Sequence, residues 1–288
     1  FSFILYKTLM KVDFKFLGSG TSENQELKNS IYFMHIPKCG GTTIDHIFFK
    51  LSLVLKTFDF KRFTYQNENE RKKFLLSNLE INTPSFISGH LDYNFSDNLN
   101  DVFRFTIVRK PVDRIISHYK FKVLKLASTP DEYNFDSFIK EEVNNSRDNL
   151  ITRHFLGLLD SPTKLNEAHC DKAIDNIKYF DKINIFENWD SFVSELLTDF
   201  SFPSILYSKF QQHKYSFVFE INEKHVDLIE KYYAYDIALF NEVCKISKNN
   251  EAILGSDFNK KICIVSPHIE TENKLYTADQ IKKIFNKN

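Results

Sequence analysis

The segment His35–Thr43 reads HIPKCGGTT, with a lysine before a pair of glycines. Glycine lets backbone N–H groups approach a phosphate closely, and the start of a helix adds unpaired donors and the positive end of its dipole. Lys38 adds a full charge, and Thr42 and Thr43 can donate hydroxyl hydrogens. In a Walker A loop the lysine follows the last glycine, so an ordinary ATPase is disfavoured. The segment predicts an anion site; the alternative is a structural Gly-Gly turn.

A second basic segment, Thr106–Tyr119, reads TIVRKPVDRIISHY. Arg109 is expected at the end of a strand, and Ser117 lies eight residues later in the following helix. The arginine and the hydroxyl can converge on one phosphate if the helix folds back across the strand end. The alternative is a helix with Asp113 in its first turn and otherwise solvated charges. Two such turns in succession favour a ligand site.

The elements that position these segments follow from the hydrophobic pattern. Ile31–Ile36 and Phe103–Val108 are apolar runs that predict strands, and each is followed by apolar residues at helical spacing. Phe86–Ser88 and Lys182–Phe186 predict further short strands, and Glu223–Ile246 predicts one long amphipathic helix. Strands that alternate with helices predict a parallel sheet covered on both sides, with ligands at the carboxyl ends of its strands.

Together the two segments resemble those of the glycan-type sulfotransferases, a family that includes the Golgi heparan and chondroitin enzymes and many bacterial relatives. The family's 5′-phosphosulfate loop resembles His35–Thr43, and its 3′-phosphate segment, Arg-Asp-Pro with a later Arg and Ser, resembles Arg109–Tyr119. Lys110 stands where the family usually has Asp, and its role stays unassigned. The resemblance implies a P-loop-like, three-layer α/β fold with a central, mainly parallel sheet flanked by helices.

The same resemblance implies the donor and its binding residues. The donor is expected to be 3′-phosphoadenosine-5′-phosphosulfate (PAPS), and no metal is expected to take part. The residues implied to bind it are Lys38, Cys39, Gly40, Gly41, Thr42 and Thr43 at the 5′-phosphosulfate and Arg109 and Ser117 at the 3′-phosphate.

The reaction needs a base, because an acceptor hydroxyl is a poor nucleophile until its proton is removed. Family relatives carry a catalytic His or Glu between the two donor segments, and His90, after Gly89, has the similar placement here. Asp92 is the second choice for the base, or it orients His90. A hydrogen-bonded loop histidine is the alternative. The expected reaction is in-line sulfuryl transfer to an acceptor hydroxyl, expected on a glycan or glycoconjugate, with Lys38 neutralising the bridging oxygen.

Composition limits the partners and the compartment. Lys and Arg total 38 and so do Asp and Glu, so no net charge draws the chain to nucleic acid or to an anionic membrane. No apolar run reaches the roughly 18 residues of a membrane span. The 9 His and 4 Cys show no metal-ligand spacing. A reduced, cytoplasmic protein is expected; if Phe1–Met10 is the remnant of a membrane anchor, the compartment is instead secretory or the Golgi lumen.

The predicted division of the chain is an N-terminal extension (1–29), a sulfotransferase domain (30–250) and a C-terminal extension (251–288). Asn149–Gly157 and Phe180–Trp189 are similar to weaker family signatures and support a single domain. Arg153 is expected either to contact donor or acceptor or to lie on a solvated helix face. Six basic residues suggest a groove for an acidic glycan, with a solvated face as the alternative: Lys56, Lys61, Arg62, Arg71, Lys72 and Lys73.

Two other functions compete with the transferase. One is a catalytically silent module that binds a glycan or a nucleotide, and the other is a P-loop-type kinase, which would need a lysine after the glycines and a carboxylate for magnesium. A geometric criterion separates the transferase from the silent module, because only the transferase requires Lys38 and His90 to face one cavity.

Overall fold

The computed structural model describes residues 14–18, 27–63, 84–97, 99, 101–126, 129–130, 132–159, 161–208, 219–247, 262–266, 272–277, 279–281 and 283. The segment Phe1–Met10 and the residues Arg71, Lys72 and Lys73 of the suggested basic groove lie outside these ranges.

Strands and helices alternate along much of the described chain. The strands are β1 (Phe14–Leu17), β2 (Ser30–Met34), β3 (Asp59–Phe63), β4 (Ser85–Gly89), β5 (Val102–Val108), β6 (Lys182–Ile185), β7 (Ser204–Ser208), β8 (Ile262–Val265) and β9 (Leu275–Tyr276). The α-helices are α1 (Gly41–Leu55), α2 (Tyr93–Asp97), α3 (Pro111–Lys125), α4 (Phe135–Asn144), α5 (Leu150–Leu156), α6 (Glu167–Asn176), α7 (Trp189–Asp199), α8 (Glu223–Tyr232) and α9 (Ala234–Ile246).

Five of these strands form a parallel sheet in the order β3-β4-β2-β5-β6. The four strands expected from apolar runs are β2, β4, β5 and β6, so the predicted parallel sheet is confirmed. Register brings three strand ends together, because Met34 lies opposite Gly89 on one side and Thr106 on the other. The residues that follow β2, β4 and β5 therefore meet at one edge of the sheet.

Apolar side chains cover both faces of this sheet. On β2, Ile31 and Phe33 join one buried cluster, while Tyr32 and Met34 join another. Successive strand residues point to opposite faces, so the two clusters lie on opposite sides. The first cluster includes residues of α1 and α7, and the second includes residues of α5 and α9. The result is a three-layer α/β arrangement with helices on either side of the sheet.

A second sheet has the strand order β1-β7-β8-β9. Strands β7 and β8 pair in parallel, while β1 on β7 and β9 on β8 are antiparallel. Ile205 and Tyr207 of β7 and Cys263 and Val265 of β8 belong to the same buried cluster as α1. Strands from both ends of the described chain thus contribute to one core.

The prediction of one helix over Glu223–Ile246 is wrong, because the chain forms α8 and α9 with a break at Tyr233. The side chain of Asn149 explains the break. Its amide nitrogen donates to the carbonyl of Tyr232, and its oxygen accepts from the N–H groups of Tyr235 and Asp236. A side chain just before α5 thus satisfies backbone groups that a continuous helix would pair internally.

Candidate active site

The loop between β2 and α1 turns tightly around the start of the helix. The N–H of His35 donates to the carbonyl of Gly89 at 3.1 Å, which ties the loop to the end of β4. Lys38 and Gly40 have φ values of 69° and 82°, in the left-handed region. Helix α1 then begins at Gly41, so its unpaired N–H groups face the loop. This is the strand-loop-helix geometry that the sequence predicts for an anion site.

The two glycines of the loop are packed too closely for any side chain. A Cβ on Gly41 would lie 2.3 Å from Cδ2 of His35, and one on Gly40 would lie 2.5 Å from the ring of Phe186. The backbone therefore lies directly against two rings. Unlike the two glycines, Cys39 contributes a side chain to the core, because its thiol is buried in the second core cluster. Its N–H donates to the carbonyl of Ile36 at 3.3 Å.

Lys38 and Arg109 lie next to each other at the edge of the sheet. Nη1 of Arg109 donates to the carbonyl of Lys38 at 3.4 Å, and the guanidinium lies 4.7 Å from the centre of the Phe186 ring. Nζ of Lys38 lies 4.4 Å from the centre of the Phe121 ring. Burial, and then the charge of Arg109, lower the pKa of Lys38. Two cations are thus held together, a pair that repels itself unless an anion is bound.

Arg109 also has an unused donor. Its Nε atom is buried and has no hydrogen-bond partner among the described residues. Leaving a buried donor unpaired costs about 1–3 kcal/mol, more when the group is charged. An anion at this position would remove that cost and the repulsion from Lys38 together. The residues present therefore fit a phosphate group.

Ser117 lies on α3, the helix that follows Arg109 after Pro111 at its first position. Phe121, one turn further along the same face, contacts Lys38. The face of α3 that carries Ser117 therefore passes the loop. Lys110, the departure from the family pattern, precedes this helix and is exposed.

His90 follows β4 directly and lies beside the loop. Its ring meets the ring of His35 edge to face, with centroids 4.8 Å apart and an interplanar angle of 90°. Burial lowers the pKa of His90 to about 4, and His35, Arg62 and Lys38 act in the same direction. At neutral pH the imidazole is uncharged and can accept a proton. Asp92, the second candidate for the base, accepts a hydrogen bond at its backbone carbonyl from Tyr32 at 3.0 Å.

The expectation that Arg153 lies on a solvated helix face is wrong. Its side chain is 1% exposed and donates to Asp148, to the carbonyl of Ser161 and to the carbonyl of Thr163. The guanidinium thus holds the turns on either side of α5 together. A buried arginine with this many partners is structural, and the sequence offers no pattern that separates it from a solvated one.

Other groups near the loop were not anticipated. Asp45, in the second turn of α1, is buried and pairs with His35 at 3.0 Å. Arg114 of α3 is also buried, and its charge acts on the thiol of Cys39. His118 lies 3.4 Å from the buried carboxylate of Glu142. None of these pairs has a short sequence spacing that would reveal it.

Comparison with known proteins identifies the family. The sequence model described as "Sulfotransferase family" matches residues 25–241, a span that contains the loop, Arg109 and His90. The chain belongs to the sulfotransferase family. None of the curated proteins compared with this sulfotransferase matches it.

Two solved structures are similar to this sulfotransferase. One is a sulfotransferase from Alicyclobacillus acidocaldarius, 15% identical, with a TM-score of 0.40 over 77% of this chain and 98% of the other. The second is mouse sulfotransferase SULT7A1 complexed with PAP, 14% identical, with a TM-score of 0.36 over 90% of this chain and 79% of the other. Both TM-scores are below 0.5, so the family assignment rests on the sequence model.

The described residues contain neither a membrane-spanning helix nor a metal-binding cluster. No helix among them is long and apolar enough to cross a membrane. No group of three or more His, Cys, Asp or Glu side chains in that part of the chain is arranged to hold a metal ion.

Proposed function

We propose that this sulfotransferase transfers a sulfuryl group from PAPS to a hydroxyl of a carbohydrate, with His90 as the base. The observation that carries the proposal is the pairing of Lys38 with Arg109, whose buried Nε has no partner among the described residues. A donor with phosphate at both its 5′ and 3′ positions supplies two anions to one edge of the sheet. Such a ligand matches two adjacent cations better than a nucleotide with phosphate at only one position would.

Each part of the loop has a proposed role at the donor. Lys38 and the N–H groups at the start of α1, around Gly40 and Gly41, hold the 5′-phosphosulfate in a P-loop-like manner, with Thr42 and Thr43 as hydroxyl donors. Arg109 and Ser117 hold the 3′-phosphate. The donor supplies the sulfuryl group and a phosphate leaving group. Lys38 stabilises the negative charge that develops on that leaving group during transfer.

His90 is proposed to remove the proton of the acceptor hydroxyl. Its neutral imidazole has a lone pair at neutral pH because its pKa lies near 4. A base of low pKa is weak, but a bound donor brings negative charge next to Lys38 and His90, and negative charge raises the pKa of a histidine. Binding of the donor thus prepares the base. A carbohydrate acceptor is proposed from the resemblance of the two donor segments to those of glycan sulfotransferases.

The proposal is tested by transfer of ³⁵S-labelled sulfuryl from PAPS to a panel of unsulfated polysaccharides. The test variant is His90→Gln, and the matched control is His169→Gln. His169 is the third residue of α6 and forms a capping box with Asn166, a role that glutamine can also fill. We expect His90→Gln to lower the transfer rate at least about 100-fold, since general-base catalysis contributes about 10²–10⁴-fold.

Two results would contradict the proposal in different ways. Transfer by His90→Gln within about threefold of the wild-type rate would remove His90 as the base. Binding of the donor nucleotide by the wild type without transfer to any hydroxyl in the panel would favour the silent binding module.

A further inference from the structure

A buried carboxylate beneath the donor loop joins several elements of the site. Asp45, on α1, is 3% exposed at its side chain. Nδ1–H of His35, after β2, donates to it at 3.0 Å, and the hydroxyl of Ser88, on β4, donates to its other oxygen. Nε of Arg62, on β3, lies 3.3 Å away. One carboxylate thus connects α1 with the ends of three neighbouring strands.

A buried charge of this kind is costly, and its partners must compensate for the lost hydration. The proposed reaction assigns no role to Asp45, which lies too deep to reach a ligand. A well-packed apolar residue would hold α1 on the sheet at lower cost. The arrangement therefore calls for an explanation beyond stability.

The position of His35, which pairs with this carboxylate, provides such an explanation. The His35 ring touches Asp45 on one side, while its Cδ2 and Nε2 edge lies against Gly41, so closely that a Cβ there would be 2.3 Å from Cδ2. The same ring meets the ring of His90 edge to face at 4.8 Å and stacks on Phe33 at 5.4 Å. His35 is thus in contact with both the donor loop and the proposed base, and Asp45 fixes its ring.

We propose that Asp45 and His35 are positioning residues for sulfuryl transfer: the carboxylate orients the His35 ring, which sets the places of His90 and of the helix start at Gly41. This inference rests on the proposed function, since it concerns the base and the loop of that reaction. Carboxylates orient histidine rings in the same way in hydrolytic and metal sites. Outer partners of this kind typically contribute about 10–100-fold to activity.

The charges around His90 make its titration a second measure of the role of Asp45, besides the transfer rate. The groups that act on it are His35, Arg62 and Lys38, which lower its pKa, and Asp45, which raises it. His154, on α5, is a further histidine close enough for His90 to act on it. Asp45→Asn removes the charge of Asp45 and also alters the bond to His35, which has the largest effect on His90 of these groups. The titration midpoint of His90 is therefore expected to move from its wild-type value.

The test compares Asp45→Asn with the wild type and with Asp59→Asn, a control on β3 whose carboxylate is 55% exposed and pairs with Lys61. Two-bond ¹H–¹⁵N spectra follow the His90 ring through a pH titration. Calorimetry with 3′-phosphoadenosine-5′-phosphate (PAP), the desulfated donor, measures nucleotide affinity, and the ³⁵S assay measures kcat. We expect a changed His90 midpoint and a kcat at least about tenfold lower, with no change in the control. PAP affinity is expected to fall as well, because the helix start at Gly41 is proposed to hold the 5′-phosphate.

A second variant, His35→Phe, keeps a ring against Phe33 and Gly41 but cannot bond to Asp45. It is expected to lower kcat as Asp45→Asn does. The positioning role is overturned if Asp45→Asn folds and leaves both the His90 midpoint and kcat at wild-type values. Failure of the proposed function is a separate result, because wild-type protein would then bind no PAP, while the His90 midpoint can be measured with or without nucleotide.

Discussion

Replacing Gly41 by alanine tests whether the close packing of the loop is needed for the reaction. The new methyl carbon would lie 2.3 Å from Cδ2 of His35, whereas ordinary contact begins near 3.4 Å, so one group must move by about 1 Å. His35 cannot easily retreat, because Asp45 bonds it at 3.0 Å and Phe33 stacks on it. The start of α1, which carries the donor-binding N–H groups, is therefore expected to shift.

The magnitude follows from that displacement. Overpacking of this kind costs about 1–3 kcal/mol of stability, which in a protein of this size lowers the melting temperature by about 2–4 °C per kcal/mol. A displacement of about 1 Å in a catalytic arrangement can cost about 100-fold in rate. We expect Gly41→Ala to remain folded while the rate of ³⁵S transfer falls at least tenfold, beyond what its lower stability explains.

The control for this variant is Gly18→Ala. Gly18 follows β1 in the second sheet and has a φ of +93°, so alanine there strains the backbone without touching the loop. Its melting temperature should fall while its transfer rate stays near that of the wild type. If Gly41→Ala transfers sulfuryl within about twofold of the wild-type rate, the packing of His35 against the helix start is not part of the mechanism.

Three further predictions concern the donor, the pH dependence and the fold. Arg109→Lys keeps the charge but loses the planar fork and its stacking on Phe186, so PAP affinity measured by calorimetry should fall about tenfold; unchanged affinity would argue against a forked contact. The transfer rate measured at donor concentrations below KM should rise as pH increases through about 4, where His90 loses its proton, and level off towards neutrality. A midpoint of this rise near the ordinary histidine pKa would contradict the buried setting of His90. Asn149→Ala removes the bonds that cap α9 and hold the end of α8, so urea unfolding should show a loss of about 2–4 kcal/mol, whereas the exposed Asn145→Ala should lose less than about 0.5 kcal/mol.

The sequence was informative wherever local pattern determines structure. Apolar runs followed by helical spacing located β2 and β5 and the helices after them, since a strand and a helix differ in the period of their buried residues. The glycines and the basic residues at the strand ends located the loop and Arg109. The long apolar face of Glu223–Ile246 was misleading, because the break at Tyr233 is imposed by Asn149 from another part of the chain.

Contacts between distant residues could not be read from the sequence. Asp45 and His35 are ten positions apart, and their pairing depends on how α1 folds back over β2. Arginine is usually a surface residue, yet Arg153 is buried and bonds to Asp148 before α5 and to the backbone carbonyls of Ser161 and Thr163 after it. Periodicity reports which face of an element is buried, and it carries no information about which polar groups meet in the interior.

The proposed function depends on binding of a nucleotide by the loop and Arg109 through its 3′-phosphate. Calorimetric titration with PAP, and with ADP and ATP in parallel, tests it most directly, using Arg109→Ala and, as a control, its exposed neighbour Lys110→Ala. We expect PAP to bind far more tightly than ADP or ATP, Arg109→Ala to weaken PAP binding about 10–100-fold, and Lys110→Ala to stay within about threefold of wild type. Equal binding of ADP and PAP, or wild-type PAP affinity in Arg109→Ala, would contradict it.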